Sequence, residues 1–176
     1  LMAGPEKKTM SARALVIAPN WIGDAVMAQP LLALLRQRAP QLRIDAVCGP
    51  HIAPVFRAMA EVDDVIEAAN QHGKLDLRAR WRLARMLRQR RYDSAYVLPN
   101  SAKSALVPWL ARIPERIGHR GEARHLLLNR LHDSGPAKRS PMVEHYAQLA
   151  FDPKLPLPGK VPDPRLQRSE ERERAV

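Results

Sequence analysis

The sequence predicts an α/β protein built on an open parallel sheet with helices on both faces. Continuous apolar runs such as Ala14–Ala18, rather than alternating ones, are typical of parallel strands that are buried on both sides. Strand and helix patterns then alternate along the chain at the spacing of βαβ units. The 176 residues suffice for one domain, and a composition of 45% apolar but only 5% aromatic residues predicts a core of Leu, Ile, Val and Ala.

The first half of the chain predicts three strands and two helices. Strand Ala14–Ala18 ends at Pro19-Asn20, and Asp24 is in position to cap a helix that continues to about Arg38. Pro30 lies inside this helix, so it should kink the helix or mark a loose first turn. The remaining elements of this half are a strand at Arg43–Val47, a short helix at Ile52–Met59 and a strand at Val65–Ala68.

The second half continues the alternation. The strongest helical pattern runs from Leu77 to Arg91, with an apolar stripe on one side and arginines around the rest. Strand Tyr92–Leu98 follows, and Pro99-Asn100-Ser101 should cap a helix at about Ala102–Ala111. The last predicted elements are a short strand at Glu115–Gly118 and a helix at Met142–Phe151.

The composition divides the chain into three parts. Residues 1–11 are expected to be an upstream or disordered segment, and residues 12–152 to form the α/β domain. Five prolines between Asp152 and Arg165 predict an extended linker in 153–176, which ends in the first turn of a helix after Ser169. This ending predicts a second domain that is missing from the chain.

The net charge of +11 predicts an anionic partner. Residues 74–91 hold eight basic groups against one acid, and residues 112–130 hold five arginines against two glutamates. Nucleic acid, an anionic membrane surface or a phosphorylated ligand would each satisfy this charge, and solvated helix faces are the alternative. The single cysteine, Cys48, and the lack of a signal peptide or a 20-residue apolar segment favour the cytoplasm.

Two turns at the carboxyl ends of predicted strands contain polar groups suited to a ligand. In the first, Asn20, Trp21 and Gly23 precede Asp24, whose carboxylate either caps the helix or projects into a crevice. In the second, a lysine and small polar residues at a helix N-terminus could bind a phosphate or sugar hydroxyl, or form only a capping turn. The residues of this second turn are Asn100, Ser101, Lys103 and Ser104.

A third candidate segment is the glycine-containing loop Arg116–Arg124. Arg120 and Arg124 could form bidentate contacts with phosphate or carboxylate, and His119 lies beside them. The histidines of this region lack neighbours at metal-ligand spacing, so no metal site is predicted. No G-x-G-x-x-G or Walker pattern is present, which argues against a dinucleotide fingerprint and against ATP hydrolysis.

Three segments in this order resemble a known family. They are Ala14-Leu-Val-Ile-Ala-Pro-Asn-Trp-Ile-Gly-Asp24, Tyr92 to Pro108 and Arg116 to Asn129, and together they resemble the ADP-heptose:lipopolysaccharide heptosyltransferases. The similarity covers roughly Ala12 to Asp152 and is greatest to the heptosyltransferase II members, which add the second heptose. It implies a Rossmann-like, acceptor-binding domain that forms the N-terminal half of a GT-B glycosyltransferase.

The resemblance also implies roles for individual residues. Family members transfer heptose from ADP-heptose with inversion and without a required metal or cofactor, and their catalytic carboxylate corresponds to Asp24. Their acceptor-binding basic residues correspond most directly to Arg124, with Lys103 beside it and with Arg120 and His119 as weaker candidates. The expected partners are the lipopolysaccharide inner core, a donor held by the missing C-terminal domain, and the cytoplasmic face of the inner membrane, in peripheral contact. The chain alone is expected to be inactive.

Two alternatives remain open from the sequence. The charge would also suit a basic nucleic-acid-binding α/β module, although the three Trp and three Tyr are scattered and no nucleic-acid-reading motif is present, so nucleic acid is not an expected partner. A glycosyltransferase with another sugar specificity is the second alternative, because donor choice would reside in the missing half.

Overall fold

A computed structural model of the chain describes residues 12–68, 76–121, 123–133 and 141–167. The strands within these ranges are β1 Arg13–Ile17, β2 Arg43–Cys48, β3 Asp64–Glu67, β4 Ser94–Val97, β5 Glu115–His119 and β6 Arg130–His132. The helices are α1 Ile22–Met27, α2 Gln29–Arg38, α3 Ala53–Arg57, α4 Leu77–Gln89, α5 Ala102–Leu110 and α6 Met142–Ala147. Two 3₁₀ turns lie at Arg124–Leu126 and Gln148–Ala150.

The strands form one parallel sheet in the order β3-β2-β1-β4-β5-β6. This confirms the predicted open parallel architecture. The chain winds outward from β1 to β3, returns to place β4 on the other side of β1, and then winds outward again. The strand order therefore reverses between β1 and β4, and this reversal is where open α/β sheets form their ligand crevice. Strand β6 was not predicted, because three residues with two charged or ionisable side chains show no strand pattern.

Two apolar clusters cover the two faces of the sheet. Ala14 and Val16 of β1 point to the cluster formed with α1, α2, α3 and α6, whereas Leu15 and Ile17 point to the cluster formed with α4 and α5. Successive residues of a strand face opposite sides, so a strand covered on both faces needs apolar side chains at every position. The continuous apolar run that predicted this strand is explained by that packing.

The first predicted helix is two helices. Helix α1 ends at Met27, Ala28 makes the junction, and α2 starts at Gln29 with Pro30 in its first turn. Proline has no amide hydrogen to donate and fits the first turn of a helix, so the predicted interruption is confirmed at this point. The expected cap was wrong: Trp21 occupies the N-cap position, and Asp24 lies inside the first turn of α1 without a side-chain capping bond.

The proline-rich segment after Asp152 has neither helix nor strand through residue 167. It returns along the domain, where the Arg165 amide donates to Gln29 Oε1 at 2.9 Å and the Gln167 amide donates to the Ala58 carbonyl at 2.7 Å. The predicted upstream segment 1–11 and the helix start at Ser169 lie outside the described residues. In the described ranges, none of the helices combines the length and hydrophobicity required to cross a bilayer.

Candidate active site at the strand-order reversal

Three turns meet at the carboxyl edge of the sheet. The Leu98 amide, just after β4, donates to the Ile17 carbonyl at the end of β1 at 3.2 Å. Strand β5 continues the same edge, because Gly118 is the register partner of Val97. The turns that follow β1, β4 and β5 therefore lie side by side, and all three predicted site segments belong to them.

The turn after β1 is open to solvent. Trp21 is 75% exposed, Asn20, Ile22 and Gly23 are also exposed, and Asp24 is half-buried behind them. A Cβ built on Gly23 would meet nothing within 4 Å, and Gly23 does not have a positive φ. The fold therefore does not require glycine at this position. Because Gly23 has no side chain and the space beside it is empty, a ligand has room to approach Asp24.

His51 contacts this turn and was missed by sequence reasoning. His51 lies in the loop that follows β2, and its Nε2 is 3.0 Å from the Asn20 carbonyl oxygen. His51 lies between the predicted strand Arg43–Val47 and the predicted helix Ile52–Met59, at the carboxyl edge of the sheet beside β1. His51 therefore holds the backbone of the turn that leads to Asp24.

Tyr146 of α6 is a second residue that the sequence did not indicate. It is buried, and burial raises the pKa of its hydroxyl, with a further contribution from the negative charge of Asp24. Helix α6 lies about 120 residues along the chain from α1, and only the tertiary packing of α1 against α6 places the two groups within electrostatic reach. The phenol therefore stays neutral.

The turn after β4 combines a helix cap with a free lysine side chain. Ser101 is the N-cap of α5, and its hydroxyl accepts from the Ser104 amide at 3.3 Å, which confirms the predicted capping turn. The Ser104 hydroxyl donates to the Ser101 carbonyl at 2.7 Å. Both hydroxyls thus have partners within the turn, whereas the Lys103 side chain is exposed. The lysine is the group of this turn that is available to an anion.

The loop after β5 is fastened to the turn after β4 by Arg124. This arginine is 0% exposed, and its Nη1 donates to the Pro99 carbonyl at 2.7 Å and contacts Asn100 Oδ1 at 3.4 Å. A Cβ on Gly118 would lie 2.8 Å from Arg124 Nη2, and one on Gly121 would lie 2.9 Å from the Asn100 carbonyl oxygen. A side chain at either position would collide with these atoms, so both positions need glycine. Arg124 holds the loop after β5 against the turn after β4 from the buried side.

The other two predicted residues of this loop have different surroundings. Arg120 is exposed and pairs with Asp133 at 2.6 Å. His119 is 1% exposed, shares a 2.6 Å hydrogen bond between its Nε2 and the His145 carbonyl, and stacks on the His145 ring at 3.5 Å. Burial, followed by the neighbouring His145, lowers the pKa of His119 to about 3, so this side chain is neutral at pH 7.

The site therefore presents a carboxylate and an ammonium group at one open edge, with buried groups behind them. Asp24 is available to accept a proton, and Lys103 is available to bind an anion. Among the residues that the structure describes, no group of three or more His, Cys, Asp or Glu side chains could hold a metal ion. The arrangement suits general acid–base chemistry on an anionic ligand.

Comparisons with known proteins agree with this fold. The chain is 44% identical over 161 residues to lipopolysaccharide heptosyltransferase 2 of Escherichia coli. This match covers 89% of this chain and 46% of that protein. It is 41% identical over 139 residues to lipooligosaccharide heptosyltransferase 2 of Haemophilus influenzae, and this match covers 78% of this chain and 39% of that protein. The chain thus spans about half the length of the curated relatives it matches.

A solved structure shows the same architecture. The structure of E. coli ADP-heptose LPS heptosyltransferase II superimposes with a TM-score of 0.80 at 40% sequence identity, over 93% of this chain and 49% of that chain. The model of glycosyltransferase family 9 (heptosyltransferase) matches residues 80–176, which is more than half of the chain. The chain therefore belongs to glycosyltransferase family 9 and has the fold of half a GT-B enzyme.

Proposed function

We propose that this chain is the acceptor-binding half of an inverting heptosyltransferase that acts on the inner core of lipopolysaccharide. A second, donor-binding half would supply ADP-heptose, and the transfer would need no metal ion or other cofactor. The similarity to heptosyltransferases 2 at 39–44% identity supports the reaction class and favours the second heptose as the one transferred. The chain by itself would bind acceptor without turning it over.

The observation that carries this proposal is the position of Asp24. Its carboxylate lies in the first turn of α1, directly after β1, at the strand-order reversal where open α/β sheets bind ligands. An inverting transfer needs a general base that removes the proton of the acceptor hydroxyl as the oxygen attacks the anomeric carbon. Asp24 would take that proton, and the ADP leaving group would depart with the electron pair of the broken C–O bond.

The basic residues of the edge would bind the acceptor in two ways. Lys103 is exposed in the first turn of α5, where the helix dipole adds to its positive charge, so it would contact an acceptor phosphate or acidic sugar directly. Arg124 is buried and bound to Pro99 and Asn100, so it would act through the turn that it positions. Arg120, exposed and paired with Asp133, could exchange this carboxylate for an acceptor anion.

We also propose that the enzyme works at the cytoplasmic face of the inner membrane. Its acceptor would be a lipid-anchored saccharide, so the edge with Asp24 and Lys103 must reach a group close to the bilayer surface. The net charge of +11 favours approach to an anionic leaflet.

Replacing Asp24 with Asn tests the role of this residue. In the enzyme that includes the donor-binding half, D24N should lower kcat by about 10²–10⁴-fold, because the amide cannot accept the proton, while the acceptor KM changes little. Steady-state kinetics measure this, and a thermal melting curve checks that the variant folds. Asp163→Asn removes an exposed carboxylate far along the chain and should behave as the parent enzyme does. Turnover within threefold of the parent enzyme would reject Asp24 as the base.

A further inference from the structure

Helices α4 and α5 leave an aromatic surface uncovered on the outside of the domain. They pack side by side on one face of the sheet, yet Trp81 remains 54% exposed and Trp109 45% exposed, and Leu77 is exposed as well. A single exposed apolar side chain is ordinary, but a group of them on adjoining helices marks an interaction site. We call this group and the arginines around it the aromatic–arginine surface.

Two adjoining grooves make this surface continuous. One has a volume of about 700 Å³, and its lining residues are Leu77, Arg78, Trp81, Arg82 and Leu110. The other has a volume of about 550 Å³, and its lining residues are Trp81, Arg88, Trp109, Leu110, Arg112, Ile113, Pro114 and Arg116. Because Trp81 and Leu110 line both grooves, the two tryptophans belong to a single patch.

The charged residues that line the two grooves are all arginines. No carboxylate lines either groove, and within the described ranges no ion pair joins a carboxylate to the arginines at positions 78, 82, 85, 88 and 112. The Arg85 guanidinium lies 5.5 Å from the centre of the Trp81 ring, which places a cation against the aromatic face. The patch therefore combines exposed indole rings with unneutralised positive charge.

The surface adjoins the candidate active site. Helix α4 begins at the carboxyl edge of the sheet, and Arg80 Nη1 in its first turn donates to the Lys103 carbonyl at 2.9 Å. A membrane seated on this surface would thus lie next to the turn of Lys103. A lipid-anchored acceptor could then reach the edge without leaving the bilayer.

We propose that the aromatic–arginine surface docks the protein on an anionic phospholipid bilayer. Indole rings prefer the interface between headgroups and acyl chains, and arginine side chains bury their stems there while their heads contact lipid phosphates. An amphipathic basic helix that lies in the interface plane binds through both effects. The inference depends on the proposed function for its purpose, since a lipid-anchored acceptor is what makes docking useful, but the binding itself can be measured without donor or acceptor.

Vesicle flotation tests the electrostatic part. The chain should float with phosphatidylcholine vesicles that contain phosphatidylglycerol and stay behind with pure phosphatidylcholine. The double variant R82E/R85E, changed at two exposed positions, should bind the anionic vesicles at least about tenfold more weakly, since each arginine near the surface is worth about fivefold. The matched control K154E/K160E makes the same change in net charge on exposed lysines of the proline-rich segment and should bind within about threefold of the parent chain. Equal losses in both variants would overturn the proposal, because only overall charge would then matter.

Tryptophan fluorescence tests the aromatic part. The chain has three tryptophans, so Trp21→Phe leaves Trp81 and Trp109 as the reporters. Anionic vesicles should shift their emission to the blue, and lipids brominated in the upper acyl chain should quench it. No shift or quenching would overturn insertion of the rings. Tighter binding to random DNA than to the anionic vesicles, lost in R82E/R85E, would reassign the surface to nucleic acid. Transfer to a soluble, deacylated acceptor, assayed with the donor half present, would test the proposed function separately from docking.

Discussion

Gly23 and Asp24 lie in the first turn of α1, where the fold makes few demands on their side chains. Asp24 makes no capping hydrogen bond with its side chain, and the space where a Gly23 side chain would lie is open. The helix dipole favours a carboxylate in the first turn of α1, whereas nothing in the local structure requires glycine at position 23. Both residues would also suit an acceptor that approaches the backbone of the turn and presents its hydroxyl to the carboxylate.

A Gly23→Ala substitution separates these explanations. Within a helix, alanine has a lower conformational cost than glycine, so the free energy of unfolding should stay the same or rise by up to about 1 kcal/mol. Acceptor affinity should nevertheless fall, because the new methyl group would occupy space beside Asp24. Isothermal titration with an inner-core saccharide, together with urea unfolding of the same variant, measures both quantities. Unchanged affinity would show that the acceptor does not approach this backbone.

At the scale of elements, the amino edge of the sheet is organised around a buried carboxylate. Asp45 of β2 is 0% exposed, accepts a 2.6 Å hydrogen bond from the Tyr92 hydroxyl and pairs with Arg13 at 3.0 Å. Arg90 approaches Asp45 at 3.4 Å and pairs with Asp64 at 2.5 Å, which lowers the pKa of the Asp64 carboxyl. These contacts join β1, β2, β3 and the start of β4 at the edge opposite the candidate active site.

We expect Asp45→Asn to destabilise the domain by about 2 kcal/mol. The amide keeps the size of the side chain but leaves Arg13 without its negative partner, whereas Arg90 keeps Asp64. The loss should be less than for a fully buried ion pair, because both arginines are partly exposed to water. Urea unfolding measures the change. The double variant D45N/Y92F should lose less stability than the sum of the losses in the two single variants, since both residues belong to one network. Full additivity of the two losses would contradict this shared role.

A histidine cluster links β5, β6 and α6. His119 stacks on His145 and meets the His132 ring edge-on at 5.9 Å. Burial lowers the pKa of His119 to about 3 and that of His132 to about 4, with the neighbouring positive charge of Arg130 also lowering the latter. The folded protein therefore keeps these rings neutral at a pH where they would be protonated in the unfolded chain, whose histidines titrate near 6.5.

This cluster predicts a loss of stability in acid. Below about pH 6.5 the unfolded chain binds more protons than the native protein. The free energy of unfolding therefore decreases as the pH is lowered, until the native rings are protonated near pH 3–4. His132 alone should contribute about 2 kcal/mol between pH 7 and pH 5. Urea unfolding of the parent chain and of His132→Asn at both pH values isolates that contribution. Equal pH dependence in the two proteins would show that His132 is not held neutral by the fold.

At the scale of the whole molecule, the sheet could be predicted because its signals are local. Strands β1, β2 and β4 show apolar runs, and the alternation with helices defines a parallel topology. Asp24 and the Ser101 turn could be found for the same reason, since each directly follows a strand. The short strand β6 carries no such signal.

The partners of the site residues could not be predicted, because they come from distant parts of the chain. His51 reaches the Asn20 carbonyl from the loop after β2, and Tyr146 of α6 comes within electrostatic range of Asp24. Arg124 was predicted to contact the acceptor, and this stays a prediction; its burial and its contacts with Pro99 and Asn100 carried no signal in the sequence. Such contacts depend on how the loop after β5 packs against the turn after β4.

The proline-rich segment after Asp152 is held against the start of helix α2 by the side chain of Gln29. Gln29 is 4% exposed at the start of α2, where its Nε2 donates to Glu61 at 2.9 Å and its Oε1 accepts from the Arg165 amide. This side chain is one of two hydrogen-bonded links between the returning segment and the core, the other being the bond from the Gln167 amide to the Ala58 carbonyl. Gln29→Leu keeps the volume of the side chain but removes both hydrogen bonds.

In Gln29→Leu, amide exchange at Arg165 should become at least about tenfold faster, because the amide loses its buried acceptor. Exchange in β1 should change only as much as the global stability does, and stability should fall by about 1–3 kcal/mol because Glu61 loses its partner. Hydrogen–deuterium exchange read by NMR measures each amide separately. Exchange at Gln167 distinguishes two forms of attachment, since its bond to the Ala58 carbonyl does not involve Gln29. If Gln167 also becomes faster, the segment detaches as a unit; if Arg165 stays protected, Gln29 is not what holds it.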